Sequence, residues 1–237
     1  MPTTSKNNKS ASILQKISSI AKERNYKSYK DELFYSKNQG PTVLITAAIH
    51  GNEKAGSFAI YSYIKRSDPP KDISLYLMPI INHYGFDHNT RENGQRRDLN
   101  RAFNKDLDND ETDRLETIVK KIKPDLVINL HEDGTHEGCY IYVPYDEMRE
   151  DADEILKSAS KAIPTNKNKS IFGDPADNGV ILQSHLINRP KNKHSFEFYL
   201  YKNNIPYITF ETPSDESIKN RAAAMILAID ATLGRTT

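Results

Sequence analysis

The stretch NLHEDGTH, residues 129–136, comes directly after the apolar run DLVI at 125–128. An apolar run without polar alternation is typical of a strand that is buried on both faces, as the strands of a parallel sheet are. This run ends at His131, which is followed by two acidic residues and a second histidine. In open α/β sheets ligands bind outside the carboxyl ends of the strands, so this strand end is a candidate functional site.

Two other apolar runs end in much the same way. TVLITAAI at 42–49 is followed by His50, and YITF at 207–210 is followed by Glu211. One polar residue at the end of one strand is commonplace. Three ionisable residues at three buried strand ends favour convergence on one site, although Glu211 lies 161 positions after His50.

Helical periodicity alternates with strand-like runs along most of the chain. We predict helices at 12–24, 53–67, 111–123, 145–163, 195–203 and 214–233, and strands at 40–52, 73–82, 125–130, 139–144 and 205–210. This alternation is typical of a mostly parallel sheet with helices on both faces. We therefore predict a single α/β domain over residues 11–237, preceded by a disordered polar tail at 1–10.

The composition narrows the classes of function. Hydrophobic residues make up 37% of the 237 residues and the formal net charge is +1, so we predict no nucleic-acid partner. No run of apolar residues is long enough to span a membrane. Cys139 is the only cysteine, which excludes an internal disulfide framework and a cysteine-rich zinc site. The first residues lack the apolar segment of a secretory signal, and we predict a cytoplasmic protein.

The sequence HGNE at 50–53 adds a carboxylate, Glu53, three residues after the first histidine. Two histidines and one carboxylate, with one position open for water, make the ligand set of a catalytic zinc site. We therefore predict one zinc ion per chain. Three nearby side chains remain alternatives to Glu53 as ligands, or neighbours of the ligands and the substrate: Glu132, Asp133 and His136.

The loop RENGQRRDLNRAF at 91–103 carries four arginines. It could be a solvated basic loop, but a guanidinium also pairs with a carboxylate bidentately and stays charged at any working pH. Beside a zinc site, these arginines favour hydrolysis of a substrate that bears a carboxylate. The sequence has no phosphate-binding glycine motif, no GxSxG elbow and no HExxH helix.

Four motifs in this order, HGNE, RENGQRRDLNRAF, VINLHED and ITFETP, resemble the zinc carboxypeptidase family. This is the carboxypeptidase A-like group, which includes the murein peptide amidases and the succinylglutamate desuccinylase/aspartoacylase branch. The resemblance runs from about residue 40 to 215, and DLNR at 98–101 is its most specific element. It implies a three-layer α/β/α sandwich around a mixed, mostly parallel sheet of roughly eight strands.

The resemblance also implies roles for individual residues. The implied zinc ligands are His50, Glu53 and His131. Arg91 matches the arginine that polarises the scissile carbonyl, and Glu211 matches the general acid/base. The pair that grips the terminal carboxylate of the substrate corresponds to Asn100 and Arg101.

The chain departs from the family pattern in two places. Arg96 stands where a glycine usually precedes DLNR, and residues 170–194 contain no tyrosine to cap the substrate. The sequence ends about 26 residues after Glu211, so we expect no extra C-terminal β-domain of the kind typical of the desuccinylase branch.

We therefore expect a metallocarboxypeptidase or peptide amidase that cleaves a C-terminal amide bond. The expected substrate is a small peptide or acylated amino acid with a free carboxylate. The alternatives are an N-acyl amino acid deacylase that uses the same site and a binding module without catalytic activity.

Overall fold

The computed structural model describes residues 8–30, 32–103, 110–183 and 190–234. The helices in these ranges are α1 Lys9–Glu23, α2 Ala55–Arg66, α3 His83–His88, α4 Asp110–Ile122, α5 Arg149–Ala159, α6 Phe196–Lys202 and α7 Ile218–Thr232. The strands are β1 Lys27–Tyr29, β2 Leu33–Ser36, β3 Thr42–Ala47, β4 Ser74–Met78, β5 Leu126–Asp133, β6 Tyr140–Val143, β7 Ser170–Ile171, β8 Asp174–Pro175, β9 Val180–Leu182 and β10 Tyr207–Pro213.

Eight of these strands form one sheet in the order β1-β2-β4-β3-β5-β10-β6-β9. The pairs β4–β3, β3–β5, β5–β10 and β6–β9 are parallel, and the remaining pairs are antiparallel. The other two strands, β7 and β8, form a small hairpin of their own. The prediction of an α/β fold with a mixed, mostly parallel central sheet is therefore confirmed.

Helices cover both faces of the sheet and give the molecule its three layers. On one face, α1, α2, α5 and α7 bury side chains such as Ile17, Ile60 and Met225 against the strands. On the other face, α4 and α6 contribute Leu115 and Phe196 to a second apolar cluster. This second layer lies over the face of the sheet on which Asn129 and His131 of β5 lie.

The three strands singled out in the sequence lie side by side at the centre of the sheet. In the β3–β5 pair Ala47 is opposite Leu130, and in the β5–β10 pair Glu211 is opposite His131. Their parallel carboxyl ends therefore meet at one edge of the sheet, as the apolar runs predicted. The predicted end of β5 was wrong, however, because pairing with β10 continues as far as Asp133 and places His131 and Glu211 inside their strands.

Other boundaries also differ from prediction. Helix α1 begins at Lys9, inside the segment predicted as tail, because the Asn8 side chain accepts a hydrogen bond from the amide of Ala11. The rest of that segment, 1–7, lies outside the described residues. The sequence does not indicate α3, the hairpin strands β7 and β8 or the strand β9 that follows them, because each of these elements is too short to show a periodicity.

Among the residues that the structure describes, no helix combines the length and the apolar character needed to cross a bilayer.

Candidate active site

A tight loop after β3 carries His50 and Glu53 to the edge of the sheet. Ala48 adopts a left-handed backbone with φ of 52°, which redirects the chain at the end of the strand. The amide of Glu53 then donates to the carbonyl of His50 at 3.0 Å, closing a turn that leaves both side chains on the same side.

The loop requires glycine at position 51 because there is no space for a side chain. The backbone conformation is not the reason, since the φ of Gly51 lies outside the left-handed region. A Cβ built on Gly51 would lie only 2.0 Å from the carbonyl carbon of Gly85 at the start of α3. The amide of Gly51 also donates to the carbonyl of Arg91 at 3.3 Å. This close approach fixes the position of His50 relative to the arginine-rich loop.

Both imidazoles turn their Nδ1 atoms towards one carboxylate. His50 Nδ1 lies 2.7 Å from Glu53 Oε1, and His131 Nδ1 lies 2.9 Å from Glu53 Oε2. All three side chains are buried, and their candidate ligand atoms lie within 4.8 Å of one another. The structure thus brings together the three residues that the sequence predicted as metal ligands.

The surroundings of the two imidazoles fit a metal ion. Asp98 Oδ1 lies 3.1 Å from His50 Nε2, so it can hold the proton on Nε2 and leave the Nδ1 lone pair for a metal. The side-chain amide nitrogen of Asn129 donates to His131 Nε2 at 2.8 Å, which leaves the proton of this ring on Nδ1. Glu197 Oε1, 3.9 Å from Nε2, is a carboxylate that can hold the proton on Nε2 when Nδ1 binds a metal. Two nitrogens, one carboxylate and neighbours that orient the rings are the arrangement of a zinc site with an open position.

Shared protons can also link these three groups. Burial opposes the charged form of His50, but Glu53 and Asp98 outweigh burial and raise its pKa to about 9. Burial would raise the pKa of Glu53, but the two histidines lower it to about 2. A metal ion would take the place of those protons, because histidine ligands must be deprotonated to bind.

The alternative ligands Glu132, Asp133 and His136 are engaged elsewhere. Glu132 accepts from the amide of Ala55 at 2.5 Å and forms a buried ion pair with Arg221 of α7. Asp133 Oδ2 lies 2.7 Å from His136 Nδ1 and accepts from the Tyr140 hydroxyl at 2.9 Å. These side chains therefore support the walls of the site, and Glu53 is the carboxylate that faces both Nδ1 atoms.

Arg91 reaches from its loop to the edge of the histidine cluster. Its Nη1 donates to Glu53 Oε1 at 3.3 Å and its Nε donates to Asp98 Oδ2 at 3.1 Å. The side chain is about half exposed, at 47% of its full accessibility. Arg91 can therefore present a positive charge both to the ligand cluster and to a molecule in the cavity.

Asn100 and Arg101 lie on the one-turn 3-10 helix at 99–101, which Asp98 caps by accepting from the amide of Asn100 at 2.9 Å. The Asn100 side chain accepts from the amide of Phe196 at 2.7 Å and donates to Glu197 at 3.2 Å. Both ends of this amide are thus occupied within the protein. Arg101 is exposed, and one of its Nη atoms donates to the carbonyl of Asn100 at 2.6 Å.

Glu211 lies on β10 beside His131 and lines the same cavity. Burial raises its pKa to about 8; His131 opposes the rise, and the carboxylates of Glu53, Asp133 and Glu197 add to it. A carboxylate with a raised pKa beside a ligand cluster is the environment of a general acid or base. A cation bound by the cluster would lower this pKa again.

Glu197 on α6 is a functional candidate that the sequence reasoning missed. Its carboxylate accepts from the side chains of Asn129 at 2.9 Å and Thr209 at 3.1 Å, and lies 3.9 Å from His131 Nε2. Burial favours its neutral form, but His131 and these donors outweigh burial and lower its pKa. The one available signal was an acidic residue inside an otherwise aromatic and apolar helix.

These groups line one cavity of about 520 Å³. All seven predicted site residues lie on its wall: His50, Glu53, Arg91, Asn100, Arg101, His131 and Glu211. A second cavity of about 620 Å³ shares Thr135 with the first and continues past His136.

Comparison with known proteins bears on this site. Residues 39–168, more than half of the chain, match the family model described as the succinylglutamate desuccinylase/aspartoacylase catalytic domain. No curated protein sequence matches the chain significantly.

Solved structures resemble the whole fold at low sequence identity. The "putative metallopeptidase" of Shewanella denitrificans OS217 superposes with a TM-score of 0.80 at 21% identity, over 96% of this chain and 90% of that one. A metallo-carboxypeptidase from Burkholderia cenocepacia superposes with a TM-score of 0.67 at 14% identity, over 86% and 60% of the two chains. The tripeptide-bound cell shape determinant Csd4 from Helicobacter pylori gives 0.68 at 17% identity, over 86% and 55%.

Proposed function

Because the chain belongs to the succinylglutamate desuccinylase/aspartoacylase catalytic-domain family, we propose that it is a zinc-dependent hydrolase of an amide bond next to a free carboxylate. We propose that the substrate is a small peptide, cleaved at its C-terminal end as by a carboxypeptidase or peptide amidase. The observation that carries the proposal is the convergence of His50, Glu53 and His131 within 4.8 Å on the wall of a cavity that also contains Glu211 and Arg101.

In this proposal, His50, His131 and Glu53 would hold zinc through the two Nδ1 atoms and the carboxylate, which converge in the cluster. When bound, zinc supplies an acidified water and polarises the carbonyl oxygen of the substrate. Asp98 keeps the proton on His50 Nε2, and the buried position of the cluster excludes bulk water from the ligand atoms.

Glu211 is the proton carrier of the proposed reaction. It accepts the proton of the attacking water and delivers that proton to the leaving amine, as a positioned general base and acid does. It is suited to this because it lines the cavity, while His50, Glu53 and His131 already complete the ligand set. Arg91 supplies positive charge for the developing oxyanion, an effect worth on the order of 3 kcal/mol.

Arg101 is the proposed anchor of the substrate carboxylate. It is exposed, lines the cavity and carries a charge that suits a carboxylate. Asn100 steadies this anchor, since its carbonyl accepts from Arg101 and its side chain is fixed between Phe196 and Glu197. A fixed carboxylate orients the neighbouring amide towards the ligand cluster.

Two observations bear on the size of the substrate. The family match favours a second candidate function, the hydrolysis of an N-acyl amino acid by the same site. The site cavity of about 520 Å³ offers more space than an amino acid with a short acyl group needs, and this favours a peptide.

The test begins with the metal content of the purified protein, for which we expect about one zinc per chain. Turnover is then compared on tripeptides with a free C-terminus, the same peptides with an amidated C-terminus, and N-acyl amino acids. We expect the free peptides to be cleaved fastest. Preference for N-acyl amino acids would establish the second candidate, and no turnover by a fully metallated protein would leave a binding module.

Arg101→Ala tests the anchor, with Arg96→Ala in the same exposed loop as the matched control. Arg101→Ala should slow cleavage of free peptides much more than that of amidated ones, because the partner of the carboxylate is gone. Arg96 does not line the cavity, and its replacement should leave both rates unchanged. If the wild type cleaves free and amidated peptides equally, the carboxylate is not recognised.

A further inference from the structure

The hairpin of β7 and β8 holds an aromatic residue in an unfavourable backbone conformation. Ile171 pairs with Asp174, so the turn between them consists of Phe172 and Gly173 alone. Both have positive φ, 50° for Phe172 and 78° for Gly173, as in a type I′ turn. Asparagine and glycine are preferred at such positions, since a large side chain is strained there.

Phe172 is the one aromatic residue with positive φ in the described ranges, where Lys30, Ala48, Arg96 and Lys123 are the other such residues that are neither asparagine nor glycine. A residue of this kind persists where the position of its side chain serves a purpose that offsets the strain. The ring contributes little to the core, because 51% of its surface is exposed. Its position must therefore be explained by something other than packing.

The ring of Phe172 stands at the wall of the site cavity. It meets the edge of the His136 ring, with the ring centroids 4.5 Å apart and the planes at 82°. His136 Nδ1 in turn lies 2.7 Å from Asp133, two residues after the ligand His131 on β5. The phenyl ring is thus supported by a chain of contacts that reaches the strand of the metal ligand.

Among the described residues on this wall, Tyr140, Tyr142 and Phe172 carry six-membered aromatic rings, and the ring of Phe172 is the exposed one, since both tyrosines are buried. The lining consists of charged, amide, hydroxyl and imidazole side chains and one glycine, and Phe172 is its one hydrocarbon side chain among the described residues. A polar cavity with a single exposed phenyl ring is suited to a polar substrate that carries one apolar group.

We propose that Phe172 is a specificity-determining residue that contacts an apolar side chain of the substrate. The inference rests on the proposed function, since it assumes that the cavity binds the substrate of that reaction. It goes beyond that function because it selects among carboxylate-bearing peptides. Peptides with a leucine-like or phenylalanine-like side chain at one position bind better than those with glycine there.

The test uses four tripeptides: triglycine and its three variants with a single leucine. For the wild type, we expect leucine at one position to improve kcat/KM about 10-fold or more over triglycine, through KM, as is usual when an apolar group enters a matching pocket. Phe172→Asn removes the ring but keeps a residue that tolerates positive φ. It should abolish the preference for leucine and raise or preserve the melting temperature.

Phe58→Asn is the control, because Phe58 is also an exposed phenylalanine, at 39%, but lies on α2 away from the cavity. It should retain the leucine preference. Equal preference in the wild type and in Phe172→Asn would overturn the inference, and so would the absence of any preference in the wild type.

Binding separates this inference from the proposed function. The same four peptides are titrated by calorimetry against Glu211→Gln protein with and without the Phe172→Asn change. If the wild type cleaves no peptide but Glu211→Gln binds the leucine peptide through Phe172, the inference stands and the proposed reaction falls. If the wild type cleaves the peptides but their binding is unchanged by Phe172→Asn, the proposed reaction stands and the inference about Phe172 falls.

Discussion

Replacing Gly51 with alanine tests how the metal cluster is positioned. The added Cβ would lie 2.0 Å from the carbonyl carbon and 2.3 Å from the Cα of Gly85. Both are backbone atoms, so no side chain can rotate away and one of the two loops must move. Overpacking of this kind costs about 1–3 kcal/mol, which lowers the melting temperature of a chain of this size by about 2–12 °C.

The displaced loop carries His50, and the amide of Gly51 bonds to the carbonyl of Arg91. We therefore expect zinc affinity to fall by about 10–100-fold, the usual effect of disturbing the neighbours of a ligand. The change in melting temperature is measured by thermal unfolding of protein from which metal has been removed with a chelator. The change in zinc affinity is measured by competition with a chromogenic chelator. Gly134→Ala is the matched control, since Gly134 lines the same cavity and its Cβ would meet nothing within 4 Å. Gly51→Ala protein with normal stability and metal affinity would refute the steric argument.

Three further substitutions separate the parts of the site. His131→Ala should lose the metal because a ligand nitrogen is gone, whereas the control His136→Ala should keep it. The zinc content of both proteins is measured after dialysis, and equal content would mean that His131 is not a ligand. Glu211→Gln should keep zinc and fold but lower kcat by about 10²–10⁴-fold, since an amide cannot take up the proton; a near-normal kcat would assign the base elsewhere. Arg221→Ala leaves the buried carboxylate of Glu132 without its ion-pair partner, and should lower the free energy of unfolding in urea by about 3–5 kcal/mol. A decrease below about 1 kcal/mol would show that the pair does not stabilise the fold.

The central strands of the sheet could be predicted from the sequence because each of them is a clear apolar run. TVLITAAI, DLVINL and YITF are mostly apolar and lack regular polar alternation, as is typical of strands buried on both faces, and they form β3, β5 and β10. Strand β1, at one edge of the sheet, was missed for the opposite reason. All three residues of β1, Lys27–Tyr29, are exposed, so their sequence carries no burial pattern.

The site was predictable where residue type and strand end coincide, as for His50 and His131. Glu197 was not predictable in this way, because it comes from a helix in the layer above the sheet. Its role depends on contacts with Asn129 and Thr209 of two different strands, and no spacing in the sequence encodes them. The hydrogen bonds that occupy the Asn100 side chain were hidden for the same reason, since one partner, Phe196, lies 96 positions away.

Strand β5 serves opposite purposes on its two faces, and this makes its length more critical than most of its side chains. Glu132 turns to the amide of Ala55 and to Arg221 on the layer of α2 and α7, while Asn129 and His131 turn towards Glu197 of α6. The start of the strand is fixed by Asp125, whose side chain accepts from the amide of Thr42 at 2.8 Å. An insertion or deletion of one residue between Asp125 and His131 would turn the histidine towards the layer of α2 and α7. A neighbouring residue would then face the site cavity in its place. We therefore expect this segment to tolerate apolar exchanges but no change in the number of its residues.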